Sequence, residues 1–109
     1  MLICLNTVAP QSADERETME RCIARLANGD AAAMEPLYNI ANAAVYAFAL
    51  SMLKNRHDAE DLVSDVFLKA YEKYPTFDAG RASVSTWLYT ITRNTVIDYF
   101  RTHRPGAEL

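Results

Sequence analysis

NRHDAEDLVSDVFLKAYEKYP, residues 55–75, carries a helix start signal at one end and a proline stop at the other. Turned at about 100° per residue, Ala59, Leu62, Val63, Val66, Ala70 and Tyr74 fall on one arc, the pattern of a helix buried along one side. Asp58 is placed to cap it, which predicts a helix over about 59–74. Asp61, Asp65, Leu68 and Glu72 share a different face, bordered by Glu60, Ser64 and Tyr71. Solubility accounts for the acids, and Asp58 and Asp61 also suit the positive end of the helix dipole. Neither reason accounts for a leucine set among them. An exposed leucine ringed by carboxylates has the composition of an interface centre with a polar rim.

The flanking sequence extends the helical pattern in both directions. Ser12 followed by Glu15 makes a capping-box start, and Gly29 ends the helix behind it, at about 13–28. Asp30 caps the apolar run AAAMEPLYNIANAAVYAFALSMLK, in which Pro36 lies deep enough to predict a kink or a late start. That run is apolar almost all round, as expected of a helix with several neighbours. Tyr38, Tyr46 and Phe48 within it fit core packing better than a cofactor-binding cluster, given the burial habits of aromatic residues. The segment TFDAGRAS reads as a loop, and Ser83 opens a last helix over about 84–103, closed by HRPG. No useful apolar alternation and no repeat interrupts this series, so the predicted fold is all-α, a compact bundle of about four helices.

The chain has 109 residues, half of them hydrophobic, enough for one domain with a core of its own. Cys4 and Cys22 stand outside any metal-ligand spacing and read as reduced thiols. The opening MLICLNTVAP is short for a secretory signal, and no run reads as long enough to span a bilayer, which gives a cytoplasmic reading without a membrane partner. The net charge of −3 argues against nucleic acid until its distribution is considered. Asp30, Glu35, Asp58, Glu60, Asp61, Asp65 and Glu72 outweigh Lys54, Arg56, Lys69 and Lys73 in the middle of the chain. Over residues 76–105, Asp78 and Asp98 face Arg81, Arg93, Arg101 and Arg104, with His103 beside them. An acidic middle and a basic end point to two partners of opposite charge.

On the last helix Val84, Trp87, Leu88, Ile91, Thr92, Thr95 and Tyr99 define the expected buried arc. Opposite lie Thr86, Thr90, Arg93, Ile97, Arg101 and Arg104, with Asn94 and Tyr89 alongside. Hydroxyls, an amide and arginines in one strip can contact phosphates and base edges, although a solvated face has the same composition. Trp87, at the edge of the arc, serves either as core or as a stacking platform. Phe77, in a short polar loop, has fewer structural reasons to be there, and a basic groove beside an aromatic platform is how single strands are held. Catalytic readings fare worse: Asp61 and Asp65 lack further ligands to complete a metal shell, and no nucleophile or oxyanion donor is near them.

DAEDLVSDVFLKAY, TFDAGRASVSTWLYTITRN and DYFRTHRP, in that order, resemble region 2 of bacterial RNA polymerase sigma factors of the extracytoplasmic-function (ECF) group. The resemblance covers roughly residues 25–105 and implies a transcription initiation factor, not an enzyme, with no cofactor. It implies that the acidic helix docks on the clamp helices of the polymerase β′ subunit through Glu60, Asp61, Ser64, Asp65 and Leu68, with Phe67 or Tyr71 adding apolar area. It further implies that the loop and last helix recognise and melt the promoter −10 element through the non-template strand. Phe77 to Ser83 would hold a flipped base, with Trp87 a further contact. Thr86, Tyr89, Thr90, Arg93 and Asn94 would read or grip nucleotides, Arg101 and Arg104 would hold phosphates, and Arg81 in the loop would also contact the DNA. The resemblance also admits an anti-sigma factor as a partner. Two departures stand out: Ser64 replaces a common glutamine, and no helix-turn-helix region 4 for a −35 element is present. The resulting division is a flexible segment 1–12, a region 2 domain 13–105 and a tail 106–109. The alternative reading is a helical interaction module whose acidic face binds another basic partner without DNA.

Overall fold

The computed structural model describes residues 13–103. They form four helices, α1 (Ala13–Ala27), α2 (Met34–Leu53), α3 (Arg56–Lys73) and α4 (Val84–His103), with 3₁₀ turns at Ala31–Ala33 and Tyr74–Thr76. No strand occurs among the described residues, as expected of an all-α chain. The expected Ser12 cap and Cys4, the 1–12 segment, and Arg104 with the 106–109 tail lie outside the described residues.

Each boundary has a local cause. Gly29 ends α1 with φ 91, a left-handed conformation. The Asp30 N–H bonds Arg25 O at 2.9 Å and the Gly29 N–H bonds Leu26 O at 2.9 Å. Those two bonds satisfy carbonyls that the helix end would otherwise leave open. The Asp30 side chain then accepts from the Ala32 N–H at 3.2 Å and starts a 3₁₀ turn, so α2 begins only at Met34. Pro36 thereby falls in the first turn of α2, where its missing N–H costs nothing, and the late start replaces a kink.

The cap of α3 differs from the expectation. Asn55, not Asp58, caps the helix, its Oδ1 accepting from the Asp58 N–H at 2.9 Å, and α3 starts at Arg56. The reason lies one residue earlier: Lys54 closes α2 in the left-handed region with φ 57, which swings Asn55 into extended backbone ready to cap. Asp58 is then free to accept a hydrogen bond from the Tyr99 hydroxyl across to α4 at 2.5 Å. At the other end Pro75 falls within the 3₁₀ turn that follows α3.

α2 packs against all three other helices. Its length and composition would allow Ala31–Leu53 to cross a membrane, contrary to the expectation that no run is long enough. In the bundle this helix instead contributes Leu37, Ala41, Val45, Phe48 and Ala49 to the core. Phe48 is buried and packs edge-on against Tyr89, and half-buried Tyr46 packs against the core, whereas Tyr38 is exposed against Phe67 and departs from the expected core packing. The predicted α3 arc is buried apart from half-buried Tyr74. On α4, Val84, Leu88, Ile91, Thr92 and Thr95 are buried as expected, Trp87 and Tyr99 are half-buried, and Ser85 and Val96 join the interior. Thr92 and Thr95 donate to Leu88 O and Ile91 O, which supplies the hydrogen bonds that buried hydroxyls need.

Candidate functional site

The outward face of α3 carries Glu60, Asp61, Ser64, Asp65 and Leu68, all exposed. Leu68 is 57% exposed and Tyr71 43%, so both present apolar area among the acids. Phe67 does not join them. It is 6% exposed, with its ring centroid 5.0 Å from that of Tyr38 on α2, because its position turns it toward the inter-helix seam. The apolar area beside Leu68 on this face comes from Tyr71.

The acids on this face have weak partners. Asp61 lies 3.6 Å from His57, and Asp65 lies 3.5 Å from Lys69. The exposed His57 pair is worth about 0–1 kcal/mol and the pair with half-buried Lys69 is long, so both carboxylates remain available to a stronger cation. Lys69 also reaches Asp98 on α4 at 3.8 Å and Thr95 Oγ1 at 3.5 Å. The sequence placed Asp98 with the basic end of the chain. In the fold it extends the acidic surface of α3 onto α4, a proximity between helices that no spacing along one helix reveals.

A second site lies where the loop enters α4. Phe77, Asp78, Arg81, Thr86, Trp87 and Thr90 bound an open cavity of about 270 Å³, together with Thr76 and Ala82. The loop is shaped by Asp78, whose carbonyl accepts from the Arg81 N–H at 2.9 Å and whose Oδ1 accepts from the Gly80 N–H at 2.9 Å. Gly80 does not have a positive φ, so side-chain bonding by Asp78, not glycine freedom, makes this turn. Ser83 Oγ accepts from the Thr86 N–H at 3.1 Å and caps α4 as predicted.

Phe77 and Trp87 meet edge to face with centroids 5.6 Å apart, and Trp87 Nε1 donates to Thr76 Oγ1 at 3.4 Å. Trp87 therefore both packs on the core and walls the cavity. Thr86, Thr90, Arg93, Asn94 and Arg101 are exposed along α4. Tyr89 is half-buried against Phe48, which leaves less of its ring for a ligand than the sequence implied. Arg101 lies 3.7 Å from Asp98 with both side chains mostly exposed. Among the described residues no group of three or more His, Cys, Asp or Glu side chains gathers as metal ligands would.

The family model described as Sigma-70 region 2 matches residues 37–105, a span that contains both sites. The chain is 38% identical over 71 residues to the ECF RNA polymerase sigma factor SigM of Bacillus subtilis, covering 65% of this chain and 42% of that protein. It is 34% identical over 91 residues to SigW of the same organism, covering 84% of this chain and 48% of the relative. BldN of Streptomyces coelicolor, also an ECF RNA polymerase sigma factor, is 32% identical over 100 residues, 92% of this chain and 38% of its own length. The chain thus spans less than half the length of each of these three relatives. With the matched span covering both the acidic face of α3 and the loop and strip of α4, the chain belongs to the sigma-70 region 2 family, as a region 2 domain of the ECF type.

Proposed function

We propose that the chain is a transcription initiation factor domain that binds core RNA polymerase through α3 and takes the non-template strand of the promoter −10 element through the loop and α4. The observation that carries this reading is the cavity of about 270 Å³ at the start of α4, walled by Phe77 and Trp87 and edged by Arg81 and two threonines. Stacking on an aromatic wall is worth about 1–3 kcal/mol per base. Unpairing and unstacking a base costs a few kcal/mol. Stacking alone comes close to that cost, and hydrogen bonds from Thr86, Thr90 and Arg81 supply the rest. Arg93, Asn94 and Arg101 are exposed further along the same helix and would take the strand that leaves the cavity.

The acidic face of α3 has the complementary role. Its carboxylates steer and orient a basic partner, here the β′ clamp helices, while Leu68 and Tyr71 provide apolar area to bury. Separating the two faces onto different helices lets one domain hold polymerase and DNA together. The test is binding to core polymerase by the chain and by the Asp61→Lys, Asp65→Lys double variant. Both residues are exposed, so helical circular dichroism should be unchanged while affinity falls by several kcal/mol, the usual cost of placing like charges together at an interface. Leu68→Ala should cost less, about 1–2 kcal/mol. A folded double variant that binds as tightly as the wild type would remove the docking assignment.

A further inference from the structure

Between α3 and α4 runs a groove of about 290 Å³, bounded by Asp58, Asp61, Leu62, Asp65, Asp98 and Tyr99, with threonines at its edge. Leu62 and the Tyr99 ring give it an apolar wall, and four carboxylates stand around it. One end already holds a cation of the chain's own: Lys69 Nζ is 3.5 Å from Asp65, 3.8 Å from Asp98 and 3.5 Å from Thr95 Oγ1. We propose that the remainder of the groove receives one arginine side chain from the β′ clamp helices, so that the docking surface crosses from α3 to Asp98 on α4. The proposal rests on the docking reading above.

Three features select that occupant. The charge is complementary, since Lys69 and the exposed Arg101 do not balance four carboxylates. The groove is continuous with the docking face, because Asp61 and Asp65 belong to both. The groove has room for a single long side chain. Arginine fits better than lysine: its planar head offers five donors to several carboxylates and can lie against the Tyr99 ring, while its stem covers Leu62. Closing the groove under a partner helix excludes water and makes these contacts stronger than open surface pairs.

The experiment measures binding of the full chain to a β′ fragment carrying the clamp helices, using the wild type, Asp98→Asn, Thr102→Tyr and the Asp61→Lys, Asp65→Lys pair. Thr102 edges the groove and is exposed, so a tyrosine there obstructs the cavity without entering the core. Asp98→Asn and Thr102→Tyr should each weaken binding by about five- to tenfold, within the range for a contact desolvated at an interface. The Asp98→Asn effect should vanish when one particular arginine of the fragment is replaced by alanine. Wild-type affinity in both groove variants, beside lost binding in the Asp61/Asp65 pair, would overturn the groove and leave the docking face standing. A wild-type chain that does not bind the fragment would overturn both.

Discussion

Tyr99 and Asp58 join α4 to α3 through one short hydrogen bond, and that bond has a signature in pH. Donation to the Asp58 carboxylate raises the Tyr99 pKa above its ordinary value of 10.0, with burial and the carboxylate's charge acting in the same direction. The folded state therefore holds this proton more tightly than the unfolded chain does. The resulting stability is fully present below the ordinary tyrosine value and is lost as pH rises through the higher folded value. Urea midpoints measured across alkaline pH should show the wild type approaching Tyr99→Phe as the pH climbs; a constant difference would contradict this role. Arg101 makes a different prediction. Its pairing with Asp98 is exposed and loose, so a phosphate can displace it. With core polymerase bound, Arg101→Ala should weaken binding to every −10 strand about equally and lower the log–log salt slope by roughly one unit. Substitutions at Arg93 or Asn94 should instead change the preference among −10 sequences. The same pattern from both groups would end the division between gripping and reading residues.

At the scale of the helices, most boundaries were legible because short-range chemistry sets them: Gly29, Asp30 and Ser83 all act as their residue types predict. The start of α3 was not, because Lys54 occupies a left-handed conformation that its residue type gives no reason to expect. That conformation costs a non-glycine residue about 1 kcal/mol. Lys54→Gly should therefore raise the urea midpoint, by roughly 0.5–1 kcal/mol of stability at unchanged m-value. Gly29→Ala should lower it by about 1 kcal/mol, although a methyl there meets no atom within 4 Å, because the strain is in φ and not in space. The helical angles also separated the exposed acids of α3 from its core arc. They did not place Phe67, which the resemblance put on the docking face and which packing against Tyr38 of the neighbouring helix buries. They could not show Asp98 beside Lys69, since that contact depends on how α3 and α4 pack.

The whole molecule places an acidic, leucine-bearing face on α3 and an aromatic-walled cavity at the entry to α4. That separation was visible in the charge distribution, acidic in the middle and basic toward the end, before any helix was placed. The cavity itself was not visible, since its wall needs Trp87 to pack on Phe77 while held by Thr76. The central claim is that this cavity captures an unpaired base of the non-template −10 strand. It is tested most directly by 2-aminopurine fluorescence, with the probe placed at successive positions of a single-stranded −10 oligonucleotide and titrated with the chain bound to core polymerase. One position should change its emission sharply, and replacing residues 77–82 by a Gly/Ser segment should abolish that change without releasing the chain from polymerase. A response equal at every position, or one that survives the replacement, would contradict base capture by this loop.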